Sequence, residues 1–453
     1  MDLATALGKL KAYPYANLFW QDDAGMPLSV ALEGFSVDVE NTRVSLPVPG
    51  GEAVRVPSDR AVGLISGHIR RQPGIGYDER RYVELWGRAH VDGGRILFEP
   101  TEAWGWDEAE LPFMEYSERG VEQAFRYFGG LSARFGHAMR PRLQIGWLLF
   151  RATRLPFLSA TLVPVLLGIA VAARQGTFDP LLAVLTVVGA AAVHLGLNVS
   201  NDVFDDVLGA DRLNYTPTPY SGGSRVIQYG LLTRREMALL SATFYGLAIA
   251  IGLVLVTMTR SLELLAIGVL GVIVSLGYTA PPLKLVYRGL GEFAVALGFG
   301  PLMLVGAYVV QTGHVALEPV IASIPVALLV ALILYVNEIP DRPADEAAGK
   351  RTLVVRFSPE IVRAGYLAAA AIAFAVIVVG VVAGVLPWPT LLALAAVPLA
   401  VQVYRGIGQT SYAYGLMSVM ATNIKLHVVV GALLIVGYLA AIAATALGLA
   451  ASL

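Results

Sequence analysis

The chain has 453 residues, 56% hydrophobic and only 15% charged, with a formal net charge of −1. Soluble globular chains carry about a quarter charged residues, so the shortfall points to a membrane protein, and the near-neutral balance gives no sign of a nucleic-acid partner. There is no cysteine, which excludes disulfides, zinc–thiolate sites and cysteine nucleophiles.

Residues 1–140 are mixed and polar and form the first expected domain, a small soluble β-rich unit. The opening residues lack the long apolar run of a secretory signal. Pro27–Leu32 and Arg81–Ala89 alternate as strands do, Pro49-Gly50-Gly51 and Asp92-Gly93-Gly94 read as turns, and a helix is expected around Glu118–Phe135. Residues 150–453 form the second expected domain, an all-α membrane domain of nine transmembrane helices. Its apolar stretches lie near 155–173, 180–200, 237–258, 262–279, 292–310, 319–337, 364–385, 388–404 and 428–449. Each approaches the roughly 17–25 residues that cross a hydrocarbon core. Cations alternate between the connections. Arg140, Arg142, Arg151 and Arg154 precede the first stretch, and Arg212, Arg225, Arg234 and Arg235 follow the second. Lys284, Arg288, Arg342, Lys350, Arg351, Arg356, Arg363, Arg405 and Lys425 continue the pattern, against Arg174 and Arg260 on the other side. Positive charge marks the inner face, so the N-terminal domain and these loops are expected in the cytoplasm.

Two acidic motifs end apolar stretches on that face. The first runs from Asn198 through Asp202, Asp205 and Asp206 to Asp211, and the second is Asn337-Glu338-Ile-Pro-Asp341-Arg-Pro-Ala-Asp345. In each, an Asp follows an Asn by one helical turn, so Asn198, Asp202 and Asp206 can share a face, as can Asn337 and Asp341. Asp205, three residues after Asp202, is an equal choice for the next ligand. Pro340 and Pro343 are expected to disturb the second helix, which would place Asp345 in a loop. Clustered carboxylates beside apolar helices call for cations. Oxygen-only ligands suit Mg²⁺, which takes one or two carboxylates and completes its shell with phosphate oxygens. A diphosphate bridged by Mg²⁺ between Asp202, Asp205, Asp206, Asp341 and Asp345 follows as an expectation. Ser221-Gly222-Gly223-Ser224-Arg225 offers backbone N–H groups and a guanidinium to phosphate, and Lys284, Lys350 and Arg351 are further cations near the motifs. Tyr215, Tyr278 and Tyr308 are aromatic faces that steady cations or mark the membrane interface. His194, one turn before Asn198, reads as a packed polar residue.

These residues, with Arg154-Leu-Pro, Pro164–Gly168, Gly277–Glu292, Gly300–Gly313 and Asn337–Arg356, resemble the UbiA superfamily of intramembrane aromatic prenyltransferases. Within it the likeness is to the 1,4-dihydroxy-2-naphthoate polyprenyltransferases of menaquinone synthesis, and it runs from about Arg151 onward. The resemblance implies nine helices around a central cavity, an active site at the cytoplasmic side of the cell membrane, and a polyprenyl tail lying in an apolar channel. It implies Mg²⁺ on Asp202, Asp205 or Asp206, Asp341 and Asp345, with Asn198 and Asn337 fixing metal and diphosphate. Arg225 and Lys284 would assist the departing diphosphate, and the naphthoate carboxylate would leave as CO₂. The doubled Asp205-Asp206 and the two prolines depart from the family pattern. Hydroxybenzoate, homogentisate and glyceryl phosphate lipids are alternative acceptors, and a secondary transporter is the alternative class. The N-terminal domain weakly resembles flavin-binding split barrels, a β-barrel-like α+β architecture, and FMN is the ligand that likeness implies.

Overall fold

The computed structural model describes residues 1–48, 56–71, 77–410 and 412–447; the turn expected at Pro49-Gly50-Gly51 lies outside them. The chain forms two compact units, Met1–Gly120 and Val121–Leu453.

The first unit opens with α1 (Leu3–Leu10), whose N-terminal N–H groups are capped by Asp2. Seven strands follow: β1 (Tyr15–Gln21), β2 (Pro27–Glu33), β3 (Ser36–Asp38), β4 (Arg43–Pro47), β5 (Val62–Arg71), β6 (Tyr77–Asp92) and β7 (Arg95–Asp107). They pair antiparallel in the order β2-β1-β5-β6-β7-β4-β3. Among the described residues the sheet is thus an open half-barrel. Alternation puts Ala16, Leu18 and Trp20 of β1 inside, where they join Leu64, Leu85, Ile96, Phe98 and the α1 residues Leu7 and Leu10. The expected strands fall within β2 and β6. Asp92-Gly93-Gly94 does turn the chain from β6 into β7, with both glycines at positive φ, a conformation that costs glycine little. Helix α2 (Phe113–Arg119) ends this unit.

The second unit is helical: α3 (Val121–Phe135), α4 (Ile145–Ala152), α5 (Ser159–Arg174), α6 (Pro180–Leu208), α7 (Ala210–Leu213), α8 (Arg234–Thr259), α9 (Leu262–Gly277), α10 (Gly291–Leu297), α11 (Met303–Thr312), α12 (Leu317–Ala347), α13 (Leu353–Arg356), α14 (Pro359–Val382), α15 (Val397–Gly406) and α16 (Met417–Ala446). Among the described residues seven helical segments are long and apolar enough to cross a membrane: 155–174, 180–208, 234–259, 291–312, 317–347, 359–382 and 413–446. The protein is an integral membrane protein. Seven of the nine expected stretches reach that length among the described residues. Helix α9 has 16 residues, or about 24 Å at 1.5 Å per residue, short of a core roughly 30 Å thick. The stretch near 388–404 divides into a 3₁₀ segment, Trp388–Ala396, and α15. Pro398 in the first turn of α15 has no N–H to continue the preceding helix and crowds the carbonyl behind it.

Small residues let these helices approach closely, as they do where lipid leaves packing to hold helices together. A Cβ on Gly168 would lie 2.3 Å from the Leu304 carbonyl oxygen, and one on Gly431 would lie 2.1 Å from Val163 Cγ1. Asp179 caps α6 by accepting the N–H groups of Leu181 and Leu182, and Thr233 with Glu236 forms a reciprocal cap on α8.

Candidate active site

Helix α6 does not stop where its apolar run stops. It continues through Asp202, Asp205 and Asp206 and ends at Gly209, in the left-handed conformation. The three carboxylates are each at least 96% buried, so they must be met by donors. Their partners differ. Asp205 accepts the Tyr287 hydroxyl at 2.8 Å, the Asn201 amide at 3.1 Å and Lys350 Nζ at 3.4 Å. Asp202 accepts the Ser224 N–H on both oxygens, at 3.2 and 3.3 Å. Asp206 is held by Arg212 and Gln228, both at 3.1 Å, and by Arg234.

Helix α12 likewise runs through its motif to Ala347, with Pro325, Pro340 and Pro343 inside it. Asp345 therefore sits on the helix and not in a loop, which corrects the sequence reading. Each proline deletes one N–H, and membrane helices absorb that loss when neighbours pack around them. The loop after α7 ties the two motifs together. Asp341 accepts the Asn214 amide at 2.8 Å and the Gly222 N–H at 2.9 Å, while the Ser224 N–H of the same loop goes to Asp202. Gly222 and Gly223 are at positive φ, and a Cβ on Gly223 would lie 2.8 Å from Asp211 Oδ2. Backbone, not side chain, approaches the acids here.

Lys350 closes the arrangement. Its ammonium lies 3.4 Å from Asp205 and 3.6 Å from Asp345, one carboxylate from each motif. Burial alone would pull it down, but the two carboxylates outweigh burial and hold it well above the usual lysine range. Burial, then repulsion from Asp205 and Asp202, lifts the Asp211 carboxyl well above the ordinary value.

These groups surround a cavity of about 170 Å³ lined by Asn198, Asp205, Asp211, Asn337, Asp341, Asp345, Lys350 and Arg154, with Gly222 and Gly223 at its rim. A second cavity, of about 460 Å³, is almost wholly apolar and is lined by residues of α6, α8, α9 and α11. His194, Leu197, Tyr278, Val295 and Phe299 line both. A polar head space thus runs into an apolar space through an aromatic neck, where His194 meets Phe299 edge to face at 5.1 Å.

The structure sorts the residues chosen from sequence. Asn198, Asp205, Asn337, Asp341, Asp345, Lys350 and Tyr278 come together on the polar cavity. Asp202 and Ser224 pair with each other behind it. Asp206 is not among its lining residues and serves Arg212, Gln228 and Arg234. Arg225 is buried and donates to the Asp211 carbonyl. Lys284 rests over the Tyr287 ring at 5.9 Å, and Arg351 is exposed, with its carbonyl accepting Arg356 Nε. The cavity's cations are instead Arg154 and Lys350. Tyr308 is buried and donates to Gln175, Tyr215 is exposed, and His194 bonds Thr161 at 2.6 Å. Sequence reasoning missed Arg154, Asp211, Asn214, Tyr287 and Glu338. Asp211 lay in the first motif and Glu338 in the second, but their pairing is tertiary.

The five expected metal ligands do not gather at one point. Among the described residues no three acidic or histidine groups are close enough to hold a metal between them. The donor chemistry nevertheless fits Mg²⁺, which needs only one or two protein carboxylates and takes the rest of its shell from water and phosphate. Asp205, Asp341 and Asp345 face one cavity, and Asn337 Oδ1 is buried there without a partner.

Residues 161–413 match the model of the UbiA prenyltransferase family. The chain belongs to the UbiA prenyltransferase family. It is a prenyltransferase. Among its relatives, a 2-carboxy-1,4-naphthoquinone phytyltransferase of Synechocystis is 30% identical over 262 residues, covering 57% of this chain and 81% of its own. A 1,4-dihydroxy-2-naphthoate octaprenyltransferase of Bacillus subtilis is 28% identical over 309 residues, covering 67% and 96%. A solved UbiA homolog from Archaeoglobus fulgidus, bound to DMAPP and Mg²⁺, covers 65% of this chain and 99% of its own at 18% identity, with a TM-score of 0.44.

Proposed function

We propose that this UbiA-family enzyme transfers a polyprenyl group from its diphosphate to 1,4-dihydroxy-2-naphthoate, as a step in menaquinone synthesis. The observation that carries the reading is the joining of the acid-lined cavity to the apolar one at His194, Leu197, Tyr278, Val295 and Phe299. A polyprenyl diphosphate has that same division, a polyanionic head on an apolar chain. The names of the Synechocystis and Bacillus subtilis relatives support the naphthoate acceptor.

In this reading Asp205, Asp341 and Asp345, with Asn198 and Asn337 beside them, would hold Mg²⁺ where the diphosphate binds. Bound Mg²⁺ supplies neutralisation of the charge that develops on the leaving group. Asp202 orients the Ser221–Arg225 loop, so that its N–H groups keep their aim. Asp206, fixed by two guanidinium groups, holds the end of α6 to the start of α8. Arg154 and Lys350 offer the cavity's cationic donors to the phosphates. The allylic carbon–oxygen bond breaks and its electron pair leaves with the diphosphate. A ring carbon of the acceptor forms the new carbon–carbon bond, and loss of the ring carboxylate as CO₂ restores aromaticity. The aromatic faces of Tyr278 and Phe299, at the neck, stand where an allylic cation would need them.

By the positive-inside tendency, the loop cations support a cytoplasmic side of the cell membrane for these groups and for the N-terminal unit. Helix α9 and the Trp388–Gly406 segment add two shorter crossings to the seven, giving nine. FMN has no support from the family match, which covers residues 161–413 and not the β unit.

The test is prenyl transfer by the purified protein in detergent, with geranylgeranyl diphosphate, Mg²⁺ and a panel of 1,4-dihydroxy-2-naphthoate, 4-hydroxybenzoate, homogentisate and glyceryl phosphate. Prenylated, decarboxylated naphthoquinol is the expected product. Product with another acceptor alone would overturn the naphthoate assignment.

A further inference from the structure

One wall of the polar cavity is rich in hydrogen-bond acceptors and short of donors. Both carboxylate oxygens of Glu338 are buried without a partner. Glu338 lines the cavity and is only 4% exposed. Glu292 stands beside Glu338. One of its oxygens accepts the Leu353 N–H at 3.1 Å, and the other has no partner. Leaving such groups unpaired forfeits their hydration, and a folded protein tolerates this mainly where a ligand completes the bonding.

The prenyl diphosphate cannot complete it. Its oxygens are acceptors, and it has no O–H to offer the wall. Lys350 lies 3.4 and 3.6 Å from Asp205 and Asp345, so its donors point to the two motifs. What the wall lacks is an O–H group. Tyr278 stands close to Glu338, and it and Phe299 line both cavities at the neck. A flat ring bearing a hydroxyl would meet aromatic faces on one side and a carboxylate acceptor at its edge.

We propose that Glu338 anchors a hydroxyl of the aromatic acceptor, with Glu292 as its positioning residue, and so selects hydroxylated rings and sets them against the allylic carbon. The proposal rests on the prenyl-transfer reading and names the acceptor side of that site. Glu338 acts on the acceptor and not on the diphosphate.

The experiment compares wild type with Glu338→Gln and Glu338→Ala, in detergent, after thermal unfolding has established which variants fold. Equilibrium binding of 1,4-dihydroxy-2-naphthoate and of its di-O-methyl ether is titrated alongside KM for the naphthoate and for geranylgeranyl diphosphate. The Ala variant is expected to weaken naphthoate binding and raise its KM about tenfold, the weight of one buried hydrogen bond. KM for the diphosphate stays within about twofold, and the wild-type preference for hydroxyl over O-methyl collapses toward unity. The Gln variant, which keeps one acceptor oxygen, falls between. The proposal is overturned if the diphosphate KM rises instead, if the hydroxyl preference survives in the folded variants, or if wild type does not bind the naphthoate. Hydroxyl-dependent binding lost on mutation, from protein that transfers no prenyl group, would sustain the proposal while removing the transfer reading beneath it.

Discussion

Asp205 and Asp206 are adjacent in sequence, equally buried, and expected to fail in opposite ways. In Asp206→Asn the lost carboxylate leaves the guanidinium groups of Arg212 and Arg234 without a counter-charge. Removing one partner of a fully buried pair costs about 3–5 kcal/mol. These side chains are 62% and 47% exposed, so water recovers much of that, and a loss of about 1–3 kcal/mol is expected. Turnover should stay within a few-fold of wild type, because the lost contacts hold α6 to α8 and lie off the cavity. In Asp205→Asn the site loses a carboxylate that Tyr287, Asn201 and Lys350 fix in place. A preorganised electrostatic group of this kind is worth about 2.7–4 kcal/mol at the transition state, or roughly 10²–10³ in kcat. Stability should change little, since Asn201 and Tyr287 still bond an amide and Lys350 keeps Asp345 as its counter-charge. Thermal unfolding in detergent and kcat with saturating substrates, measured on both variants, separate the two roles. Asp206→Asn without turnover but with wild-type stability, beside an active Asp205→Asn, would refute the assignment.

Other expectations follow from the same geometry. Gly223→Ala places a Cβ 2.8 Å from Asp211 Oδ2 at a φ of +76°, so KM for the prenyl diphosphate should rise at least tenfold, which initial-rate kinetics will show. Thr233→Ala removes the reciprocal cap of α8 and should lower stability by about 1 kcal/mol with kcat unchanged, as read by thermal unfolding beside activity. Lys350→Met removes the ammonium that competes for Asp205 and Asp345, so substrate-free protein should bind Mn²⁺ several-fold more tightly by electron paramagnetic resonance titration, even as turnover falls.

The helical unit was readable because long apolar stretches have one solution in lipid. Where helices end was harder. Charged residues and prolines look like terminators, yet α6 carries three buried aspartates and α12 three prolines, because packed neighbours supply what the helix lacks. The Trp388–Gly406 stretch had the composition of a span, but its prolines divide it. At the site, one-turn spacing proposed Asn198, Asp202 and Asp206 as a face. The cavity instead takes Asn198 and Asp205, and Arg212 and Arg234 claim Asp206. Helical periodicity cannot report which acids meet cations from another loop. Arg225 and Lys284 are not among the cavity's lining residues, while Arg154, a charge before the first span and part of the family-like Arg154-Leu-Pro, lines it. The doubled Asp205-Asp206 leaves both residues open in sequence, because only their tertiary partners differ.

A diphosphate held through metal between the two motifs is the centre of the proposed mechanism. The most direct measurement is calorimetric binding of geranylgeranyl thiodiphosphate, which resists cleavage, to the purified protein with Mg²⁺ or with EDTA. Binding with Mg²⁺ that is lost in EDTA, and lost separately in Asp205→Asn and in Asp341→Asn, is the predicted result. Equal affinity with and without metal, or full affinity in either variant, would contradict it.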